Sequence, residues 1–393
     1  MSSGRKLAAL VVTVLLVVPL AGSGRAQTPP CTWSIGMMGA LSGDYARYGR
    51  PIANGVRLAV DLANRERALA CALAVRAEDT QGDPNQAPRK AQRLVDDERV
   101  VACICGFFSG ESLASGDIFD RGGLLMASTG TNRIVDDQKF GTWFRATAAD
   151  PAQGAATARY IVDGLHARSV VVVHDNQDYS KGMAQDVSEG LGDRDVGPFI
   201  INPEESDHSA VVSQIDRVDP DVVYYGGYHP QAGRLLRQLR EAGVDALFVT
   251  DEGAKDRRMR FLMRGYGGRL AASFVCPCSD PSEIATASTF VAEYETSYDK
   301  RPKGYSADGF DVTNIAIDAL RDLTGTETVE EVRAHVVAYF DAAEGVEGTV
   351  KDYTWDERGE LEAGEGDVFV WEWLDRERRF EYVGRVSELT DRR

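Results

Sequence analysis

The feature that most constrains this chain of 393 residues is an alternation. Short, almost unbroken apolar runs are each followed by a longer segment whose apolar residues recur at three and four. WSIGMM (33–38) leads into PIANGVRLAVDLANRE, ALAVRAE (72–78) into a helical run over 86–97, and VVACICG (100–106) into ESLASGDIF; LLMAS (124–128) closes this first set. After FRATAADPAQGAAT a second set begins. SVVVVHD (169–175) precedes a helix from Lys181, PFIIN (198–202) precedes SAVVSQIDRV, DVVYYGG (221–227) precedes RLLRQLREAG, and ALFVT (246–250) ends the set. Strands alternating with helices need crossover connections, which makes the sheets parallel. Apolar strands without polar alternation need cover on both faces. The expected fold class is therefore α/β, with two doubly wound units of similar size that meet near residue 147. The length also fits two domains rather than one. The tail reads differently: helical runs near 286–299, 307–321 and 329–340 precede YTWDERGEL and VFVWEWLDRERRFEYV, which alternate like hairpin strands. The pattern leaves open which unit this tail joins.

The first residues bear on the compartment. Arg5 and Lys6 precede an apolar run from Leu7 to Ala21, and Gly24-Arg25-Ala26 forms a small-x-small site. This is the layout of a cleaved secretory signal peptide, expected over 1–26; about fifteen apolar residues are short for a membrane span. Cys31 lies outside the apolar run, so a free periplasmic protein is expected rather than a lipid-anchored one. Six cysteines (31, 71, 103, 105, 276 and 278) suit an oxidising compartment, with bridges plausible among the first four. The two C-x-C pairs do not have the C-x₂-C spacing usual in zinc sites. The net charge of −17 argues against nucleic acid and against anionic membrane surfaces as partners.

The strand ends carry the functional signal. In open α/β sheets ligands bind beyond the carboxyl ends of the strands, where helix N-termini point unpaired N–H groups outward. Five strand ends here finish in glycine, hydroxyl or acid residues: CICGFFSGES, MASTGTN, VVVVHDNQDYSKG, VVYYGGYHPQAG and LFVTDEGAKD. Two such units with facing ligand edges would enclose a cleft.

These motifs resemble the periplasmic branched-chain amino acid binding proteins of ABC transporters, the leucine/isoleucine/valine-binding family. The resemblance runs over roughly residues 33 to 385 and rests on GALSGDYARYG, DTQGDPNQA, VHDNQDYSKG and above all VVYYGGYHPQAG, with GYSADGFDV and YTWDERGEL in support. It implies a type I periplasmic binding fold, two Rossmann-like lobes joined by three crossovers near 147, 275 and 350. The lobes would span 32–147 plus 277–350 and 148–276 plus 351–388. By the resemblance Ser109, Thr129, Gly130 and Thr131 take the ligand's α-carboxylate and part of its ammonium group, while Tyr228 and Glu252 complete the ammonium site. Tyr48, Tyr179 and Tyr305 match the family's aromatic wall. No cofactor and no metal are implied. The implied partners are an amino acid and an inner-membrane ABC permease, and the implied state is a monomer. The sequence also departs from the family: Gln81 and Phe108 stand where the family carries a disulfide, and Glu111 stands where it has a small hydroxyl residue.

The residues alone admit plainer roles: Ser109 as a helix cap, Thr129 and Thr131 as turn residues, and Glu252 as a loop acid. The five histidines show no metal spacing, and a calcium loop starting at Asp79 would need a glutamate where Lys90 stands. GFFSGES misses the G-x-S-x-G of a nucleophile elbow, and GMMGALSG misses G-x-G-x-x-G. A hydrolase and a dinucleotide enzyme are thus set aside. A second reading is a ligand-sensing module for another small solute, such as an amide, urea or an aromatic acid, working through a membrane partner.

Overall fold

The structure is a computed structural model that describes residues 31–133, 140–262, 272–362, 368–374 and 379–391. The expected signal peptide lies outside the described residues. Among these residues no helix is long and apolar enough to cross a membrane.

Five parallel strands form the first sheet: β1 (Thr32–Gly39), β2 (Ala72–Asp79), β3 (Val100–Cys105), β4 (Met126–Ser128) and β5 (Trp143–Arg145), in the order β2-β1-β3-β4-β5. The second sheet takes β6 (Val170–His174), β7 (Phe199–Ile200), β8 (Val222–Gly226), β9 (Leu247–Thr250) and β10 (Ser273–Cys276), all parallel. A short pair, β11 (Val346–Glu347) and β12 (Asp352–Tyr353), stands apart. The antiparallel hairpin β13 (Phe369–Leu374) and β14 (Arg379–Arg385) completes the seven-stranded sheet, in the order β14-β13-β10-β9-β8-β6-β7. The run Val170–Val173 shows why the sheets are doubly covered. All four valines are buried; Val171 and Val173 face one apolar core and Val170 and Val172 the other.

The chain crosses between the lobes after β5 and again after β10. The helices Ser288–Tyr298, Ser306–Ala319 and Val329–Asp341 return to the first lobe: Val312, Val336 and Phe340 sit in the core under β1 and β3, and Phe290 and Tyr294 pack on Leu58. The third crossing differs from the expectation near 350. Tyr353, Trp355 and Leu361 belong to the first core, where the Trp355 ring stacks on Phe340 at 4.9 Å and its Nε1 donates to Arg145 O at 2.7 Å. Residues 351–361 therefore stay with the first lobe, because three large apolar side chains are buried there, and the return to β13 comes after Leu361. Three strands are not expected from the sequence, β5, β10 and the two-residue β11. β5 and β10 have only three and four residues, too short for a period to show.

The cysteines pair as Cys31–Cys71, Cys103–Cys105 and Cys276–Cys278. The first ties the start of β1 to the start of β2.

Candidate ligand-binding site

The carboxyl ends of the two sheets face each other, and the space between them is a small cavity of about 40 Å³. It is lined by all nine residues singled out from the sequence: Tyr48, Ser109, Thr129, Gly130, Thr131, Tyr179, Tyr228, Glu252 and Tyr305. Ile52, Phe107, Phe108 and Gly253 complete the wall.

On the first lobe, β3 ends at Gly106, whose φ of +65° favours glycine, and the helix Ser109–Arg121 starts three residues later. Ser109 is the first helical residue, so the unpaired N–H groups of that turn point into the cavity end of the helix. Its Oγ accepts the backbone N–H groups of Thr131 and Asn132, both at 3.2 Å. The serine hydroxyl hydrogen is thereby left to donate elsewhere. The loop Thr129–Thr131 is held from below by Arg145 on β5. That guanidinium, fully buried, donates to the carbonyls of Gly130 and Asn132 and pairs with Glu360 at 2.8 Å. Nothing in the sequence period marked Arg145; only a charged residue amid WFRA offered a hint. This wall is neutral or donor-rich and suits an anion.

Glu111, the acid that departs from the family pattern, does not line the cavity. It is fully buried, accepts the Thr80 hydroxyl, and its Oε2 accepts the Phe108 N–H at 3.3 Å. It therefore caps its own helix. Burial raises its pKa to about 7, against the Thr80 hydrogen bond. Of the two other departing positions, Phe108 lines the cavity, and exposed Gln81 donates to Ser42 Oγ at 3.3 Å.

On the second lobe, β8 ends at Gly226-Gly227. Gly227 has φ +143°, and its N–H donates to Asp251 Oδ2 at 2.8 Å. A side chain there would meet the Tyr225 hydroxyl at 2.6 Å. The bare backbone lets the chain turn at once, so that Tyr228 precedes the helix His229–Glu241 and presents its ring to the cavity. Past β9, Asp251 accepts Gly253 N–H at 3.0 Å and fixes the turn that carries Glu252. Glu252 Oε2 accepts Gln153 Nε2 at 2.5 Å, and burial raises the Glu252 pKa. A cation in the cavity would restore its charge.

The side-chain end is aromatic. Tyr228 packs edge-on against Phe108, with ring centroids 5.8 Å apart, and lies 5.3 Å from Tyr179. Tyr45, which the sequence reading passed over, stacks edge-on with Phe108 at 5.7 Å and Tyr228 at 5.5 Å. Burial raises the pKa of Tyr179, Tyr228 and Tyr305, so these phenols stay neutral.

The lobes touch across the mouth. Tyr48 Oη donates to Gly253 O at 2.6 Å, Arg47 pairs with Asp256, and Arg258 donates to Asp44 O at 2.6 Å. His229 Nδ1 lies 3.2 Å from both Tyr48 Oη and Asp256 Oδ2. Burial, with Arg258 and Arg47 close by, pushes the His229 pKa down to about 3, so the ring is neutral and its contact with Asp256 is not an ion pair.

Known proteins are similar to this chain in sequence and fold. The sequence profile of the periplasmic binding protein family matches residues 32–369. The leucine-specific-binding protein of Salmonella typhimurium is 29% identical over 346 residues, covering 86% of this chain and 90% of that protein. The Leu/Ile/Val-binding protein of Escherichia coli K12 is 29% identical over 344 residues, with the same coverage. Among solved structures, a leucine binding protein from Thermotoga maritima superposes with a TM-score of 0.78 at 23% identity, covering 90% of this chain and 98% of that one. A solute binding protein from R. palustris in complex with benzoate gives a TM-score of 0.74 at 16% identity, over 90% and 96% of the two chains. With the profile spanning both lobes, this chain belongs to the periplasmic binding protein family and has its type I fold.

Proposed function

We propose that the protein captures an amino acid, branched-chain or similar, in the cleft between its lobes and delivers it to an ABC permease in the inner membrane. The observation that carries this reading is the opposition of the two walls. A helix N-terminus with hydroxyls faces a carboxylate across one small cavity, with aromatic rings at the remaining side. That is the complement of a zwitterion with an apolar substituent: donors for the carboxylate, an acceptor for the ammonium, and about 1.5–3 kcal/mol from covering an aliphatic side chain. No bond is made or broken.

Closure is a population shift in this account. Ligand bridging both lobes stabilises the closed arrangement by its differential affinity for it, with hinge motion in the crossing segments. The protein acts in the periplasm as a monomer, after loss of its signal peptide. A thermal-shift screen of the common amino acids tests the reading. At 100-fold above the dissociation constant a ligand adds about 2.7 kcal/mol, enough to raise the melting temperature by several degrees. A flat response to every amino acid, with hits only among amides, urea or aromatic acids, would overturn it in favour of a module for such solutes.

A further inference from the structure

Glu360 is not among the residues that line the cavity, yet a chain of contacts leads from it to the donor wall. It stands beside Leu361, where the chain is last anchored in the first core before the third crossing. There Asp356 N donates to Glu360 O and Glu360 N donates to Asp356 Oδ1, both at 2.9 Å. This turn is clamped to β5, because Arg145 N donates to Gly359 O at 2.8 Å.

Glu360 meets the Arg145 guanidinium side-on. Nε lies 2.8 Å from Oε2, and Nη2 lies 2.9 Å from Oε1. A guanidinium is planar, so a carboxylate that grips one edge fixes where the remaining N–H groups point. They point at the Gly130 and Asn132 carbonyls of the hydroxyl loop. The same guanidinium lies over the Trp143 ring, 4.7 Å from its centroid, which restrains it further.

The next link is covalent. Gly130 C=O and Thr131 N–H belong to one planar trans peptide and point in opposite directions. With the carbonyl held by Arg145, the N–H is aimed at Ser109 Oγ, 3.2 Å away. That bond and the one from Asn132 N occupy the acceptor sites of the hydroxyl and leave its hydrogen for a ligand.

We propose that Glu360 is a positioning residue for carboxylate recognition. Through Arg145 it sets the orientation of the Gly130–Thr131 peptide, and thereby that of the Ser109 hydroxyl. This rests on the amino acid reading above. The contribution is geometric: Glu360 is itself an anion, so its field alone opposes a ligand carboxylate. The competing role is a buried ion pair that only stabilises the first lobe. The two roles differ in their effect on ligands, because a merely stabilising pair does not single out compounds that carry a carboxylate.

The test uses two charge-conserving variants of the full chain, Glu360→Asp and Arg145→Lys, which keep the field and lose the side-on grip. Calorimetry compares them with the wild type on two compounds that share one side chain. One is the amino acid found by the thermal screen, and the other is the amine that lacks its carboxylate. In each variant affinity for the amino acid should fall roughly 3- to 10-fold, while affinity for the amine stays that of the wild type. An equal fall for both compounds, or no fall for the amino acid, would overturn the proposal and leave the amino acid reading intact. Should one variant fail to fold by circular dichroism, the other decides. A wild type that binds the amine as tightly as the amino acid would overturn that reading, and the proposal with it.

Discussion

Tyr48→Phe isolates the contact between the lobes from the contact with the ligand. The ring is kept, and with it the packing against Phe108 at 6.0 Å and Tyr228 at 6.5 Å. What goes is the hydroxyl that donates to Gly253 O at 2.6 Å across the cleft. A net hydrogen bond contributes about 0.5–1.5 kcal/mol, and leaving the opposite carbonyl unpaired raises the loss to about 1–3 kcal/mol. This bond joins the two lobes, so its loss falls on the closed state. The apparent dissociation constant should therefore rise roughly 5- to 150-fold. Tyr48 belongs to neither lobe's apolar core, so the melting temperature of the empty protein should change little. Calorimetry gives the first quantity and differential scanning calorimetry the second. Unchanged affinity would refute the claim that this bond stabilises closure. A collapse in the stability of the empty protein would show instead that Tyr48 holds the first lobe together.

Two further outcomes follow from buried acids. Glu252→Ala should weaken amino acid binding by about 2–5 kcal/mol, since it strands the ligand's ammonium, and it should leave the circular dichroism spectrum unchanged; equal affinity would remove Glu252 from the site. Glu111 has a folded pKa raised to about 7, so its charged form is the costly one. The stability it allows is fully present below the ordinary carboxylate pKa and is lost as pH rises through 7, by about 3 kcal/mol. Asp311, raised to about 7 by burial, acts with the same sign. The wild type should melt lower at about pH 8 than at about pH 5, and Glu111→Gln should show a smaller drop; a drop of equal size in both proteins would contradict this account of Glu111.

The strand–helix alternation was readable because each long apolar run is a strand covered on both faces. The nine cavity residues were readable because glycines and hydroxyls cluster at strand ends, and the family resemblance then picked individual positions. What stayed hidden has a common cause: it depends on contacts far apart in sequence. Arg145 supports the hydroxyl loop from a three-residue strand that no period reveals. Tyr353 and Trp355 look like hairpin residues in sequence, yet Trp355 packs on Phe340 and Phe144, Tyr353 packs on Trp355, and the third crossing moves past Leu361. Asp150 reads as the N-terminal acid of a helix, and only the fold shows it fully buried, with its backbone N–H donating to Thr131 O at 2.8 Å.

The central claim is that both charges of an amino acid head group are met, one by each lobe. The direct measurement is calorimetry of the wild-type protein with three compounds that share one side chain: the amino acid, the acid lacking its ammonium group and the amine lacking its carboxylate. Each truncated compound should bind at least about 30-fold more weakly than the amino acid. An acid without the ammonium that binds as tightly as the amino acid would contradict the claim.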